Sequence, residues 1–186
     1  MSDESAGADR TGAGALPAPT ERARNPFIHS PRGGRTLSAL QEPFFRIRPP
    51  ANFGILTTTG RKSAKPRHRC VRAVLDGDRA YLVMLGPVMT GLPKEQSIAA
   101  WLHNVRADPK VRLRVPGGTR AGVAEEITDP VQVARARQVY TTAVKPFDFA
   151  ECRFHSAGRP TRAKIQRLHQ HWFDHGIPVV IDLAPR

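Results

Sequence analysis

The sequence predicts a mainly β fold with a minority of helix, a small antiparallel barrel rather than a parallel sheet. Three observations predict it. About six short strand-like segments stand against only two to three flanking helices. Hairpin signals at Asp76-Gly77 and Gly117-Gly118 join sequence neighbours, and a strand, Ile177 to Leu183, closes the chain. A length of 186 residues, 40% of them hydrophobic, fits one domain with a modest core.

Residues 1–35 are rich in Ala, Gly, Ser, Pro, Arg and Thr with almost no large apolar side chains, a composition that reads as a disordered tail. Residues 36–50 gain Leu40, Phe44, Phe45 and Ile47 beside Arg46 and Arg48 before Pro49-Pro50, which reads as a lead-in helix or an interfacial segment. The folded domain then occupies 51–186. Its first strand is Phe53 to Thr59, rich in β-branched residues, and its second is Arg67 to Asp76, read as one continuous strand. Arg79 to Leu85 follows the Asp-Gly turn. Lys110 to Val115 and Thr119 to Ile127 form the next hairpin.

The helical readings rest on punctuation. Glu95 to Ala107 stops before Asp108-Pro109. Asp129-Pro130 supplies an N-cap and first-turn proline for a helix through about Thr142. Thr161 to about His175 presents Ile165, Leu168 and Trp172 at helical spacing, with Gly176 as its stop.

A net charge of +13 and a pI near 11.1 point to an anionic partner: nucleic acid, an acidic membrane surface or a multiply charged small molecule. Cys70 and Cys152 lie far apart and make no Cys-x-x-Cys pair, which argues against a disulfide framework or zinc knuckle and for a reducing cytoplasm. No apolar run approaches the ~20 residues of a membrane span, and the acidic start is unlike a secretory leader.

The densest charge lies in Gly54-Ile-Leu-Thr-Thr-Thr-Gly60-Arg-Lys-Ser63. This is not a nucleotide-triphosphate loop, because five residues separate the glycines and Arg61 intervenes before Lys62. It reads as a strand delivering a basic turn, with Arg61, Lys62, Lys65, Arg67 and Arg69 within nine positions and Arg67 and Arg69 on one strand face. A solvated hairpin tip is the competing reading. Trp101 and Asn104 are three apart and share a helix face, an aromatic plane beside an amide; ordinary core packing of Trp101 is the alternative. His169, His171 and His175 lie in the last helix; His171 and His175 have metal-binding spacing, but Asp174 is off their face, and a hydrated histidine cluster is expected, with no metal. Tyr140 with Phe147 and Phe149 is a candidate apolar pocket holding one phenol that can donate a proton.

Taken in order, Leu56-Thr-Thr-Thr-Gly-Arg-Lys-Ser63, Lys65-Pro-Arg67, Asp76-Gly-Asp-Arg79, Trp101-x-x-Asn104-x-x-Ala107-x-Pro109-x-Val111 and Ile177-Pro-Val-Val180 form an ordered set. On these motifs, roughly residues 50–185 resemble the deazaflavin-dependent nitroreductase family of actinobacteria. The resemblance implies a split β-barrel that binds reduced coenzyme F420 and passes a hydride to a quinone, a nitro compound or an activated alkene. It implies that Lys62 and Arg67 hold the cofactor's phosphate or carboxylates within the Gly60 turn, that Arg61, Ser63 and Arg69 assist, that Trp101 and Asn104 border the deazaflavin, and that Tyr140 is the proton donor. The chain departs from the family pattern at Leu85-Gly86-Pro87-Val88, where Ser-Lys-Gly-Gly is common, in a longer segment from Thr90 to Ser97, and in having one tyrosine near the substrate side.

Two alternatives stay open at this point. One is a flavin mononucleotide (FMN)- or haem-binding relative of the same fold. The other is a basic binding module for nucleic acid or an anionic membrane. Nucleic acid is disfavoured by two Trp, two Tyr and the lack of an RNP-like stretch, whereas residues 37–48 are a candidate peripheral membrane contact. Both a monomer and a homodimer fit.

Overall fold

The structure, a computed structural model, describes residues 33–86 and 98–185. Seven strands form one sheet: β1 (Phe53–Thr59), β2 (Pro66–Arg72), β3 (Val74–Asp76), β4 (Arg79–Met84), β5 (Lys110–Val115), β6 (Gly118–Glu126) and β7 (Ile177–Leu183). Their spatial order is β2-β1-β5-β6-β7-β4-β3, and every neighbouring pair is antiparallel.

The expected single strand from Arg67 to Asp76 is in fact two. Strand β2 lies at one edge of the sheet and β3 at the other, with only Ala73 between them. A chain that crosses from edge to edge in one residue requires the sheet to curl until its edges meet, which is the barrel closure. The Ala73 N–H is satisfied at this corner by the Asn52 carbonyl at 2.8 Å. Asn52 itself takes φ +67°, a left-handed conformation that asparagine tolerates. Alternation along residues 67–76 does not reveal the corner, because period two says which side chains share a face and nothing about which strand each half pairs with.

The Asp76-Gly77-Asp78 turn forms as expected, with Gly77 at φ +61°. The barrel interior is apolar: Leu56, Leu82, Leu102, Leu113, Val179 and Ile181 are all at most 1% exposed.

Five helices cover this sheet among the described residues: α1 (Gly33–Ile47), α2 (Ala100–Ala107), α3 (Pro130–Thr142), α4 (Pro146–His155) and α5 (Arg162–His175). Helix α1 begins inside the stretch read as tail, and the rest of that tail, 1–32, lies outside the described residues. Helix α2 closes the barrel end with Trp101, Leu102 and Val105. Its expected start at Glu95, the segment from Thr90 to Ser97 and the Pro87-Val88 pair also fall outside the described residues.

Helix α3 starts where Asp129 accepts from the Gln132 N–H at 2.9 Å, and α5 where Thr161 accepts from Lys164 N–H at 3.2 Å. Helix α4 was not expected. Its inward face carries Asp148, so it lacks the apolar stripe by which an amphipathic helix is recognised. One expectation for α5 is reversed as well: His169 is no member of a hydrated cluster but 1% exposed, packed on Tyr140 and Trp172.

Two smaller apolar clusters lie outside the barrel. Tyr81, Ala136, Tyr140, Phe173 and Val180 join α3 and α5 to the sheet, and Phe45, Phe53 and Ile55 join α1, with Phe147 of α4 packed edge-on against both phenylalanines.

Candidate functional site

A cleft of about 920 Å³ runs along β2, bounded by the β1–β2 turn and α2 at one end, by α1 along its side, and by α4 and α5 at its inner end. Nine of the residues singled out in the sequence line it: Gly60, Arg61, Lys62, Ser63, Arg67, Arg69, Trp101, Asn104 and Tyr140. Lys65 is not among its lining residues.

The basic turn is a built feature. Ser63 N–H and Ala64 N–H both donate to the Gly60 carbonyl, at 3.0 and 2.7 Å, and Gly60 N–H donates to the Lys65 carbonyl at 2.9 Å. A Cβ at position 60 would lie 2.7 Å from Ser63 Oγ, so only glycine fits without a shift. Ser63 Oγ also accepts from Arg67 Nη2 at 3.1 Å, holding that guanidinium across the turn. Register explains the common direction of two cations: Arg67 pairs with Thr58 and Arg69 with Leu56, both interior-facing positions of β1.

Besides lining the cleft, Asn104 ties the surrounding elements together. It is 7% exposed, its Oδ1 accepts from the Arg61 backbone N–H at 3.1 Å, and its Nδ2 donates to Thr58 Oγ1 at 3.0 Å. The amide thus ties α2 to the end of β1 and to the first residue of the turn. Trp101 is 8% exposed and belongs to the barrel core while bordering the cleft, so both readings of it describe the same ring. His103 borders the cleft beside it. Partial burial and the nearby Arg61 and Arg106 hold its imidazole below the usual range.

At the inner end the structure assembles residues that the sequence did not single out. Arg72 is buried, and its guanidinium is spent on Asp148 Oδ1 at 3.2 Å, the Tyr140 carbonyl at 3.1 Å and the Ala143 carbonyl at 2.6 Å, with its carbon 4.3 Å above the Tyr140 ring. Asp148 also accepts from the Lys145 N–H at 2.6 Å and Asn52 Nδ2 at 3.3 Å. Tyr140 is 1% exposed, and burial pushes its phenol up to about 12, which keeps it protonated. Phe147 lines the cleft, but Phe149, two residues along the helix and therefore on its other side, is 37% exposed and does not.

Glu151, His155 and Trp172 complete this end. Burial raises the Glu151 carboxyl to about 8, opposed by Arg72 and reinforced by Asp148, and burial lowers the His155 imidazole to about 4. A lone signal for α4 existed, the Lys145-Pro146 start with Asp148 at the third helical position.

The carboxylates of Asp148 and Glu151 and the ring of His169 lie within 4.8 Å of one another, a spacing compatible with a metal ion. The donor set argues against one, since Asp148 is already bonded through both oxygens and Arg72 places a fixed cation at the same point. The paired His171 and His175 rings stand 4.4 Å apart, and His175 Nδ1 lies 2.9 Å from the His171 carbonyl.

Residues 46–151 match the protein family described as F420H(2)-dependent quinone reductase. No curated protein matches the chain. Among solved structures, an F420-H2 dependent reductase (FDR-A) is 22% identical, covering 72% of this chain and 94% of its own, with a TM-score of 0.45. A chain described as a domain-swapped dimer is 22% identical over 81% of this chain and 94% of its own, with a TM-score of 0.48. A heme binding protein from Mycobacterium smegmatis is 16% identical over 84% of this chain and 51% of its own, with a TM-score of 0.42.

Proposed function

The chain belongs to the F420H(2)-dependent quinone reductase family, and from that premise we propose how its own residues divide the work of an F420-dependent hydride-transfer reductase. The bound deazaflavin supplies the hydride, and a small-molecule acceptor receives it. Everything else is orientation, charge neutralisation and proton supply, which fall to the protein.

The observation that carries the assignment is the convergence of Gly60, Arg61, Lys62, Ser63, Arg67 and Arg69 on one cleft whose walls are otherwise largely apolar and aromatic. F420 has a flat ring and a tail bearing several negative charges. The donor set fits it: four cations and a hydroxyl at one end for the tail, with Trp101 beside them for the ring. Lys62 and Arg67 hold the tail's phosphate or carboxylates, with Arg61, Ser63 and Arg69 assisting. Asn104 acts at one remove, by fixing the turn that carries Arg61. FMN, with a single phosphate, would leave most of these cations unused.

Tyr140 is 1% exposed with the Arg72 guanidinium 4.3 Å over its ring, and we assign it to packing Arg72 rather than to direct proton donation. Its part is to cushion Arg72.

Helix α1 bears on the source of the acceptor. Its Phe45 side is core, whereas Leu40, Phe44 and Ile47, spaced four and three apart on one face, are 68, 57 and 83% exposed. Arg46 and Arg48 flank them, and a basic hollow on the sheet's outer surface, lined by Arg46, His68, Arg112 and Arg114, adjoins. Apolar side chains beside cations form a surface suited to an anionic bilayer. Leu37, Gln41 and Phe45 of the same helix line the cleft, so a lipid-borne quinone is the acceptor class this arrangement favours. No described helix is long and apolar enough to cross a membrane.

The test is a fluorescence titration with oxidised F420, with FMN in parallel and a Lys62→Ala/Arg67→Ala double variant as control. Saturable F420 binding that the double variant weakens about a hundredfold, on the basis of two charge-assisted contacts, supports the assignment. Equal F420 affinity in the double variant would overturn it.

A further inference from the structure

The inner end of the cleft holds three buried polar atoms that the fold leaves without a hydrogen-bond partner: Glu151 Oε2, Trp172 Nε1 and His169 Nδ1. Buried polar atoms are rarely left so, and each that is calls for an explanation, a role in binding or catalysis being one. Glu151 and Trp172 line the cleft, and His169, 1% exposed, stands behind them. Glu151 as a residue is partly exposed, yet its Oε2 is sealed from bulk water.

The surroundings define what this end can accept. Among the described residues Arg72 is the cation of this buried group, and its donors go to Asp148 and to two backbone carbonyls. It therefore gives Glu151 no direct ion pair. The Asp148 carboxylate nearby opposes ionisation of Glu151, and burial does so more strongly, so the Glu151 carboxyl remains an O–H donor near neutrality. The indole of Trp172 is a donor only. Two donors set among Phe147, Phe154 and the Tyr140 ring make a site for a flat, uncharged molecule bearing an acceptor oxygen. An anion would face two carboxyl groups, and a metal ion would face Arg72.

Resting on the family reading above, we infer that Trp172 Nε1 and the Glu151 carboxyl form the subsite for the electron acceptor, a neutral quinone or similar conjugated carbonyl, and that Glu151 is its proton donor. The acceptor gains two electrons as the hydride of the family reaction while its oxygen takes the Glu151 proton. The Glu151 O–H bond breaks, the acceptor O–H bond forms, and Glu151 is left as a carboxylate beside Asp148. Repulsion from Asp148 then favours recovery of a proton from solvent at the partly exposed side of Glu151 once the product has left.

The probe is 2-methyl-1,4-naphthoquinone, titrated calorimetrically into cofactor-free and F420-saturated protein from pH 6 to 9, with Glu151→Gln and Trp172→Phe variants. Binding by the wild type should weaken about tenfold between pH 7 and 9, as the carboxyl loses its proton near 8. Glu151→Gln, which keeps a donor and cannot ionise, should bind equally at all pH values yet reduce the quinone about a hundredfold more slowly. Trp172→Phe should weaken quinone binding about fivefold to tenfold. F420 affinity should be unchanged in both variants, so a failure of the cofactor assignment is read separately from a failure of this one. Quinone binding that is absent in both states of the wild type, or that is pH-independent and unaltered by Glu151→Gln, overturns the proposal, and so does undiminished turnover in Glu151→Gln.

Discussion

The backbone N–H of Arg61 donates to the side-chain Oδ1 of Asn104 at 3.1 Å, a bond between residues 43 apart in sequence that links the basic turn to the helix closing the barrel. The same amide donates to Thr58 Oγ1, so one side chain fixes both the last part of β1 and the first residue of the turn.

Asn104→Ala should therefore act on cofactor binding without touching the cofactor. Both bonds are lost and the buried Thr58 hydroxyl keeps no partner from α2, a cost of about 1–3 kcal/mol in stability. Loosening of the turn should weaken F420 binding by roughly tenfold, with the cations all still present. Chemical denaturation and F420 titration of one preparation check both effects. Unchanged F420 affinity would mean that the turn holds itself through Gly60 and Ser63 alone.

Arg72 and Asp148 form a buried ion pair, with side chains 4% and 0% exposed. Arg72→Met should destabilise by about 3–5 kcal/mol, because it leaves Asp148 charged and uncompensated. Adding Asp148→Asn should recover much of that loss, since the amide oxygen can still accept from Lys145 N–H. Urea melts of the two variants check it, and a double variant no more stable than the single one would place the damage in Arg72's bonds to the Tyr140 and Ala143 carbonyls instead.

Stability should peak near pH 6.5. Glu151 has a folded-state value of about 8 against an ordinary 4.5, so its contribution is fully present below 4.5 and is lost as pH rises towards 8. His103, His155 and His169 are depressed from 6.5, His155 to about 4, so their contributions are present above 6.5 and are lost as pH falls below it. Between these limits the histidines outweigh one carboxyl, and Glu151 sets the alkaline limb up to the onset of Cys70 ionisation in the unfolded chain near 9. In thermal melts from pH 5 to 9, Glu151→Gln should flatten the decline above 6.5, worth on the order of 1 kcal/mol, and leave the acid limb in place.

Phe44→Asp with Ile47→Asp should abolish cosedimentation with anionic phospholipid vesicles, while F420 affinity in solution stays within about twofold. Point substitution isolates the surface; removal of α1 would also strip Phe45, 1% exposed, from the core. Equal vesicle binding by the variant would sink the membrane reading and leave α1 as a wall of the cleft only.

How much of this was legible in the chain follows from the range of each interaction. Strands β1, β4 to β7 and helices α3 and α5 rest on local signals: β-branched runs, the Asp76-Gly77 turn, the Asp129-Pro130 and Thr161 starts and the Gly176 stop. Those are decided within a few residues of backbone sterics and capping. The basic turn was equally visible, because its cations and glycine are contiguous.

What the sequence by itself determined, then, is the set of strands, most of the helices and the cationic end of the cleft. The tertiary structure alone decided the corner at Ala73, the conversion of Asn104 into a tie between elements, and the inner end of the cleft. There Arg72, Asp148, Glu151, His169 and Trp172 arrive from β2, α4 and α5, across as many as a hundred residues of chain. A polar residue in a weakly patterned helix reads as surface until the fold shows what it is buried against. Its ionisation and its missing partners are properties of that enclosure, which no local stretch of sequence contains.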